Sequence, residues 1–242
     1  MEIICKNCKH VFHGNYCNNC GQTAETHKIN AHFLWHDIQH GLLHFDVGIP
    51  YSIKELFTRP GHSIREFIEG KRVKHFKPIS LVVVLATLYG LLYHYFHINV
   101  FVDQDKTTLD FDTINEWMAT HYSWTTIAAI PIYTIGTSIA FRKQDYNYIE
   151  YFVLNTFKAS QRLILQILMF PVLLYLNSSS HIYLYANITY ALGIILIFWT
   201  NIQFFNKISV TKAFLLTLLS HIIFLICFFL ILVILIAIKV LL

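Results

Sequence analysis

Four cysteines within the first twenty residues carry the clearest chemistry in the chain. Cys5-x2-Cys8 and Cys17-x2-Cys20 are two CxxC pairs with eight residues between them. Each pair can supply two thiolates from one tight turn, and two such turns complete a tetrahedral, all-thiolate Zn2+ site. Gly21, directly after Cys20, suits a turn whose backbone comes close to the sulfur. Lys9 holds the equivalent place after Cys8 and suits it less. Paired cysteines also serve as disulfides, as a redox CxxC or as an iron–sulfur centre. A reducing cytoplasm disfavours disulfides, and a thioredoxin-like motif needs a βαβ setting that the sequence lacks. Structural zinc on Cys5, Cys8, Cys17 and Cys20 is the expectation, with His10 and His13 as loop residues. A closed four-thiolate site leaves no position for substrate, so the metal is expected to hold the fold and not to catalyse.

Two further groups invite a chemical reading. His32, His36, His40 and His44 recur at i, i+4 on a predicted helix, Asn30 to Phe45, opposite Leu34, Trp35, Ile38 and Leu42. Histidines one turn apart can chelate a second metal. The simpler reading is the polar face of a helix lying in the membrane interface, and no HExxH motif argues otherwise. The second group is the basic stretch from Thr58 to Pro78, with Arg59, Arg65, Lys71, Arg72, Lys74 and Lys77 against Glu66 and Glu69. Arg65, Lys71, Arg72 and Lys74 form a candidate site for an anionic lipid headgroup or a protein partner. Plain topogenic charge is the alternative.

The elements that must position these residues are mostly apolar. The chain is 55% hydrophobic and 13% charged, with a mean hydropathy of +0.50, whereas a soluble domain has about 45–50% apolar and about 25% charged residues. The apolar residues are clustered, so an all-α, polytopic helical membrane protein is expected, with about five transmembrane helices behind a small N-terminal zinc ribbon. The net charge of +4 falls in cytoplasmic-type segments; this suits topology and anionic lipid, and no nucleic-acid partner is expected. No apolar stretch follows Met1, so a secretory leader is not expected.

Three regions follow: a ribbon over 1–22, amphipathic helices and a basic collar over 23–77, and a transmembrane domain over 78–242. Within the second, Gly48-Ile49-Pro50 is expected to break the chain before a short helix from Tyr51 to Phe57. Ser63 is expected to cap the next helix with Glu66 as its capping-box partner, and Gly70 to interrupt it. The spans are expected at about 78–95, 122–141, 163–176, 182–200 and 213–238, with Pro171 kinking the third. Asn147 to Ser160 reads as an interfacial helix, and Lys158 and Arg162 as charges flanking the third span. The acidic segment 99–121 reads as external. The positive-inside rule then puts the N-terminus in the cytoplasm and the C-terminus outside. No Asp, Glu, Lys or Arg falls centrally in a span as drawn, which argues against a proton-coupled pump. Polarity within the spans is limited to Thr125, Thr126, Thr134, Thr137, Gln166, Asn187, Thr189, Ser220 and His221, of which the hydroxyls and Asn187 read as interhelical hydrogen-bonding groups.

The order of these features resembles one known family. The CxxC…YCxxCGQ ribbon, FDVGIPYSIKELFTRPGHSIREFIEGKR, the proline-led first span and YNYIEYFVLNTF together resemble an uncharacterised bacterial membrane family, domain of unknown function family 3667, with an N-terminal zinc ribbon. The resemblance covers residues 1–100, with 146–157 as a weaker second block. It implies a bacterial inner-membrane protein and adds no catalytic residue. In the family the later block usually carries a glutamate followed by a histidine; here Glu150 is followed by Tyr151.

Three functions compete. The first is a non-enzymatic scaffold whose ribbon and collar recruit a cytoplasmic protein partner or organise lipid. The second is a small-solute or lipid transporter with a cavity between the helices. The third is a metal-dependent membrane enzyme using the His32–His44 stripe or Glu150. No acid converges on the histidines, so the first reading is preferred.

Overall fold

The computed structural model describes residues 2–26, 28–31, 48–98, 111–177, 179 and 181–241. His32, His36, His40 and His44 lie outside the described residues, as does the acidic stretch 99–110. The ribbon is built on a two-stranded antiparallel hairpin, β1 (Ile3–Ile4) and β2 (Val11–Phe12), with Ile3 opposite Phe12. Phe12 packs with Cys5 and Cys17 in a small core of its own.

Helices dominate the rest of the described residues. The first, α1 (Gly48–Thr58), starts earlier than the sequence suggested. Gly48-Ile49-Pro50 forms its first turn instead of breaking the chain, because a proline there lacks only an N–H that would have no intrahelical partner. The second, α2, runs Pro60–Glu69 with Pro60 in its first turn and Arg59 at the N-cap. Ser63 is therefore inside the helix and buried, not its cap. Gly70 ends α2 in the left-handed region, φ 118°, and its N–H bonds back to Glu66 and Phe67 carbonyls.

Then come α3 (Pro78–Tyr95), α4 (Phe111–Ala140), α5 (Tyr148–Leu168), α6 (Phe170–Leu176), α7 (Ile182–Phe204) and α8 (Val210–Leu241). Among the described residues, three stretches are long and apolar enough to cross a membrane: α3, α7 and Val210–Ile231 of α8. A fourth candidate is the pair α5 and α6, bent by 50° at Met169; Pro171 lies in the first turn of α6, next to that break. The expected span at 122–141 falls in α4, which is not among them: Thr125, Thr126, Thr134, Thr137 and Ser138 lower its hydropathy.

The centre of the bundle is α5, which packs against α1, α2, α3, α4, α6 and α7. Asn147 caps it by accepting the Glu150 N–H at 2.9 Å, while the Glu150 carboxylate accepts the Asn147 N–H at 2.8 Å. Its first half is enclosed by the other helices. Tyr151, Val153, Leu154, Thr156, Phe157 and Lys158 are all buried, so the polar side of this amphipathic helix faces protein. By contrast, α8 turns Phe229, Leu230 and Ile234 outward, as a lipid-facing helix does. Near the collar, α2 crosses α7 so closely that a side chain at Gly61 would collide with the α7 backbone at Thr200 and Phe204.

Candidate functional site

The cysteine cluster is assembled from two equivalent turns. Cys5 C=O accepts from Lys9 N–H at 3.0 Å, and Cys17 C=O from Gly21 N–H at 2.8 Å. One bond further, Cys5 N–H donates to His10 C=O and Cys17 N–H to Gln22 C=O, at 2.9 and 2.8 Å. Each turn needs a left-handed residue after its second cysteine. Gly21 takes φ 74° freely, and Lys9 takes φ 63° at the steric cost of a side chain.

The turns bring all four sulfurs within 4.8 Å of one another. Cys5 and Cys20 sulfurs are 3.5 Å apart, and those of Cys8 and Cys17 are 3.6 Å apart. Tetrahedral Zn–S bonds of ~2.3 Å require sulfurs ~3.8 Å apart, so the cluster has the size of a metal cage. His10 and His13 are exposed and outside the cluster. Burial pushes the Cys5 thiol up to about 11, whereas hydrogen bonds from the His10 backbone and the Asn19 side chain draw Cys8 down to about 6. These four residues can hold a metal ion.

The ribbon is seated on the collar. The Lys6 side chain lies over Gly70, and its Nζ donates to Thr26 C=O at 2.7 Å. Buried Gln22 accepts from Arg72 N–H at 3.4 Å. Ile29 is fully buried in the main core, and its carbonyl accepts from Asn147 Nδ2 at 3.0 Å. A neutral histidine lies beneath this seat: His75 Nε2 is 3.2 Å from Ser63 Oγ, with Tyr51, Phe67 and Phe157 edges around the ring. Burial there pushes its pKa down from 6.5 to about 4.

The four basic candidates of the collar are not drawn to one point. Arg65 Nη1 donates to the Gln203 and Phe204 carbonyls, both at 2.9 Å, and so caps the C-terminus of α7. Arg72 Nε donates to Phe67 C=O at 3.1 Å at the end of α2. Lys71 pairs with Glu66 at 3.1 Å, and the Lys74 ammonium lies 5.9 Å from the Tyr51 ring centre. Gly70 ends the helix between Arg65 and Arg72, so they do not share a helix face. A bidentate pair from Arg59 to Glu66, at 3.1 and 3.3 Å, and a contact from Arg59 to Glu55 at 2.6 Å complete the network.

Sequence reasoning missed two cations, Lys158 and Arg162, by placing them at the edge of a shorter span. Both lie inside α5. Lys158 is 3% exposed, its Nζ donates to Asn201 Oδ1 at 3.2 Å, and it lies 5.3 Å from the Tyr133 ring centre. Around it runs a polar seam. Asn155 donates to Thr134 and Thr137, Thr137 meets Ser220, Asn201 donates to Thr217, and Gln161 links Leu56 C=O to Thr200. The spacing Asn155, Lys158, Gln161, Arg162 was the available signal, since those positions share one helix face.

Among curated proteins and solved structures nothing matches the chain. The segment from residue 46 to residue 90, which holds α1, α2 and most of α3, matches the family model described as "Protein of unknown function (DUF3667)", and the four clustered cysteines ahead of it fit a zinc ribbon-like centre, as the resemblance implied.

Proposed function

We propose that this is a bacterial inner-membrane protein with five spans, a cytoplasmic N-terminus and an external C-terminus. Its ribbon holds one structural Zn2+ and, together with the collar, presents a non-enzymatic platform to a cytoplasmic protein or to anionic lipid headgroups. The observation that carries this reading is the seating of an all-thiolate centre on the collar through Lys6 and Gln22. A closed centre beside a charged, membrane-proximal surface suits docking better than chemistry. The enzyme reading rests on His32–His44, outside the described residues, and on Glu150, whose carboxylate serves as a helix cap. A transporter reading is favoured by one observation, a cavity of about 240 Å³ between the helices.

The test combines metal content with topology. Purified protein is expected to carry about one zinc per chain, and Cys17→Ser with Cys20→Ser to lose it while the helices persist, because metal binding is coupled to folding only in the ribbon. A cysteine at Thr107 is expected to react with an impermeant maleimide on intact cells, and one at Asn206 only after lysis. Unchanged zinc in the double variant, or the opposite labelling pattern, overturns the reading.

A further inference from the structure

Apart from the ribbon and the collar, a half-buried charged group among the described residues of the bundle has nothing to answer it. Arg162 lies on the wall of the 240 Å³ cavity between α3, α4, α5, α6 and α7. Its stem runs beside Gly193 of α7, where a Cβ would come 3.4 Å from Nε. No hydrogen bond or ion pair engages its guanidinium among the described residues. A half-buried cation without an acceptor is costly, and ionisable groups at such depth mark ligand sites.

The rest of the wall says what kind of acceptor fits. Tyr89, Tyr93, Tyr122, Tyr185 and Tyr190 make it aromatic, and Leu165 and Leu173 add apolar surface. Buried Thr189 Oγ1, also on the wall, has no hydrogen-bond partner and can donate to an anionic oxygen. Lys158, one turn away, is turned to Asn201 and the Tyr133 face and does not line the cavity, so Arg162 is the one cation among the described residues of the wall. A guanidinium fork matches a carboxylate with two parallel hydrogen bonds. As to size, an apolar cavity of ~150 Å³ takes up benzene; 240 Å³, open on one side, therefore holds a carboxylate with a ring or the first carbons of a single alkyl chain whose remainder runs out of the opening, but not a phospholipid with two tails.

We propose that this cavity binds a monocarboxylate with an apolar body, its carboxylate paired with Arg162 and its hydrocarbon among the tyrosines. The same chemistry has two sources, a soluble short-chain or aromatic acid and a fatty acid drawn from the bilayer.

The experiment is calorimetry and thermal-shift measurement on the full chain in a nonionic detergent. Octanoate, palmitate, octanol and inorganic phosphate are the probes. Octanoate is expected to bind and to raise the melting temperature, while octanol, which lacks the charge, and phosphate, which lacks the apolar body, do not. Tighter binding of palmitate assigns the bilayer as the source; tighter binding of octanoate assigns a soluble acid. Arg162→Gln is expected to weaken octanoate by about tenfold or more while leaving zinc content unchanged and the unliganded protein at least as stable. Should that variant not fold, Arg162→Lys keeps the charge without the fork and is expected to lose affinity as well. Equal binding of octanol and octanoate, stronger binding of phosphate than of octanoate, or wild-type affinity in Arg162→Gln or Arg162→Lys overturns the proposal.

Discussion

At the collar, Arg59 is held between Glu55 and Glu66, Lys71 shares Glu66, and Arg65 and Arg72 close the carbonyl ends of two helices. Inside the bundle, Lys158 and Arg162 meet amides, hydroxyls and rings, and no carboxylate among the described residues. The difference is one of purpose. Charges answered within the chain fasten α1, α2 and α7 together, and a charge left unanswered waits for something from outside. Solvent reinforces the contrast, because water can repair a broken pair at the collar but not within the bundle.

The comparison breaks most sharply if a cation is forced into the collar's dry interior. His75 is the means. Its folded pKa, about 4, lies below the unfolded value of 6.5. The unfolded chain therefore takes up the proton first. The stabilisation is complete above about pH 6.5, falls as the pH drops towards 4 and levels off below, a loss of about 3 kcal/mol. Unfolding of the wild type and of His75→Phe, followed across that window, is expected to diverge by this amount; parallel curves would show that His75 protonates without penalty.

Single removals sharpen the comparison next. Arg59→Met leaves Glu55, 8% exposed, without its cation and is expected to cost about 2 kcal/mol, less than a fully buried pair because Arg59 is itself partly exposed. Lys158→Met is expected to be neutral or to stabilise by about 1 kcal/mol, since it removes a cation that has no acid to leave behind. Chemical denaturation of both variants checks the signs, and a large loss for Lys158→Met would erase the distinction between the two regions. The smallest effect belongs to Arg65→Lys, which keeps one of two carbonyl contacts at the end of α7 and should cost about 0.5–1 kcal/mol in the same measurement.

Much of this was legible beforehand where local chemistry decides. Cysteine spacing picked out the four residues whose sulfurs the two turns bring together as a group able to hold a metal ion, and Lys9 was recognisable as the awkward counterpart of Gly21. Pro78 and an uninterrupted apolar run gave both ends of α3. The start of α2 was misread because Ser63 and Glu66 match a capping box, while Pro60 initiates the helix and Glu66 turns to Arg59 and Lys71. The misreading of α5 has a more general cause. Periodicity reveals that Asn155, Lys158, Gln161 and Arg162 share a face, but not what the face meets. In water the polar side of a helix points outward; in a bundle surrounded by lipid it points inward. Hydropathy alone cannot choose between them, and shortening the span to exclude Lys158 hid the polar seam.

The close crossing at Gly61 makes α7 a lever. Its backbone is pressed against α2 at Thr200 and Phe204, with Gln203 Cβ beside them and the Gln203 side chain accepting the Gly61 N–H at 3.2 Å. Gly193 lies seven residues from Thr200 along the same helix, a distance of about 10 Å. Tilting α7 by about 5° around that fulcrum moves Gly193 by about 1 Å against the stem of Arg162. The lever's short arm touches the platform that carries the ribbon, and its long arm borders the cavity. A shift of α2 at the collar would thus change the width of a chamber that α2 does not line.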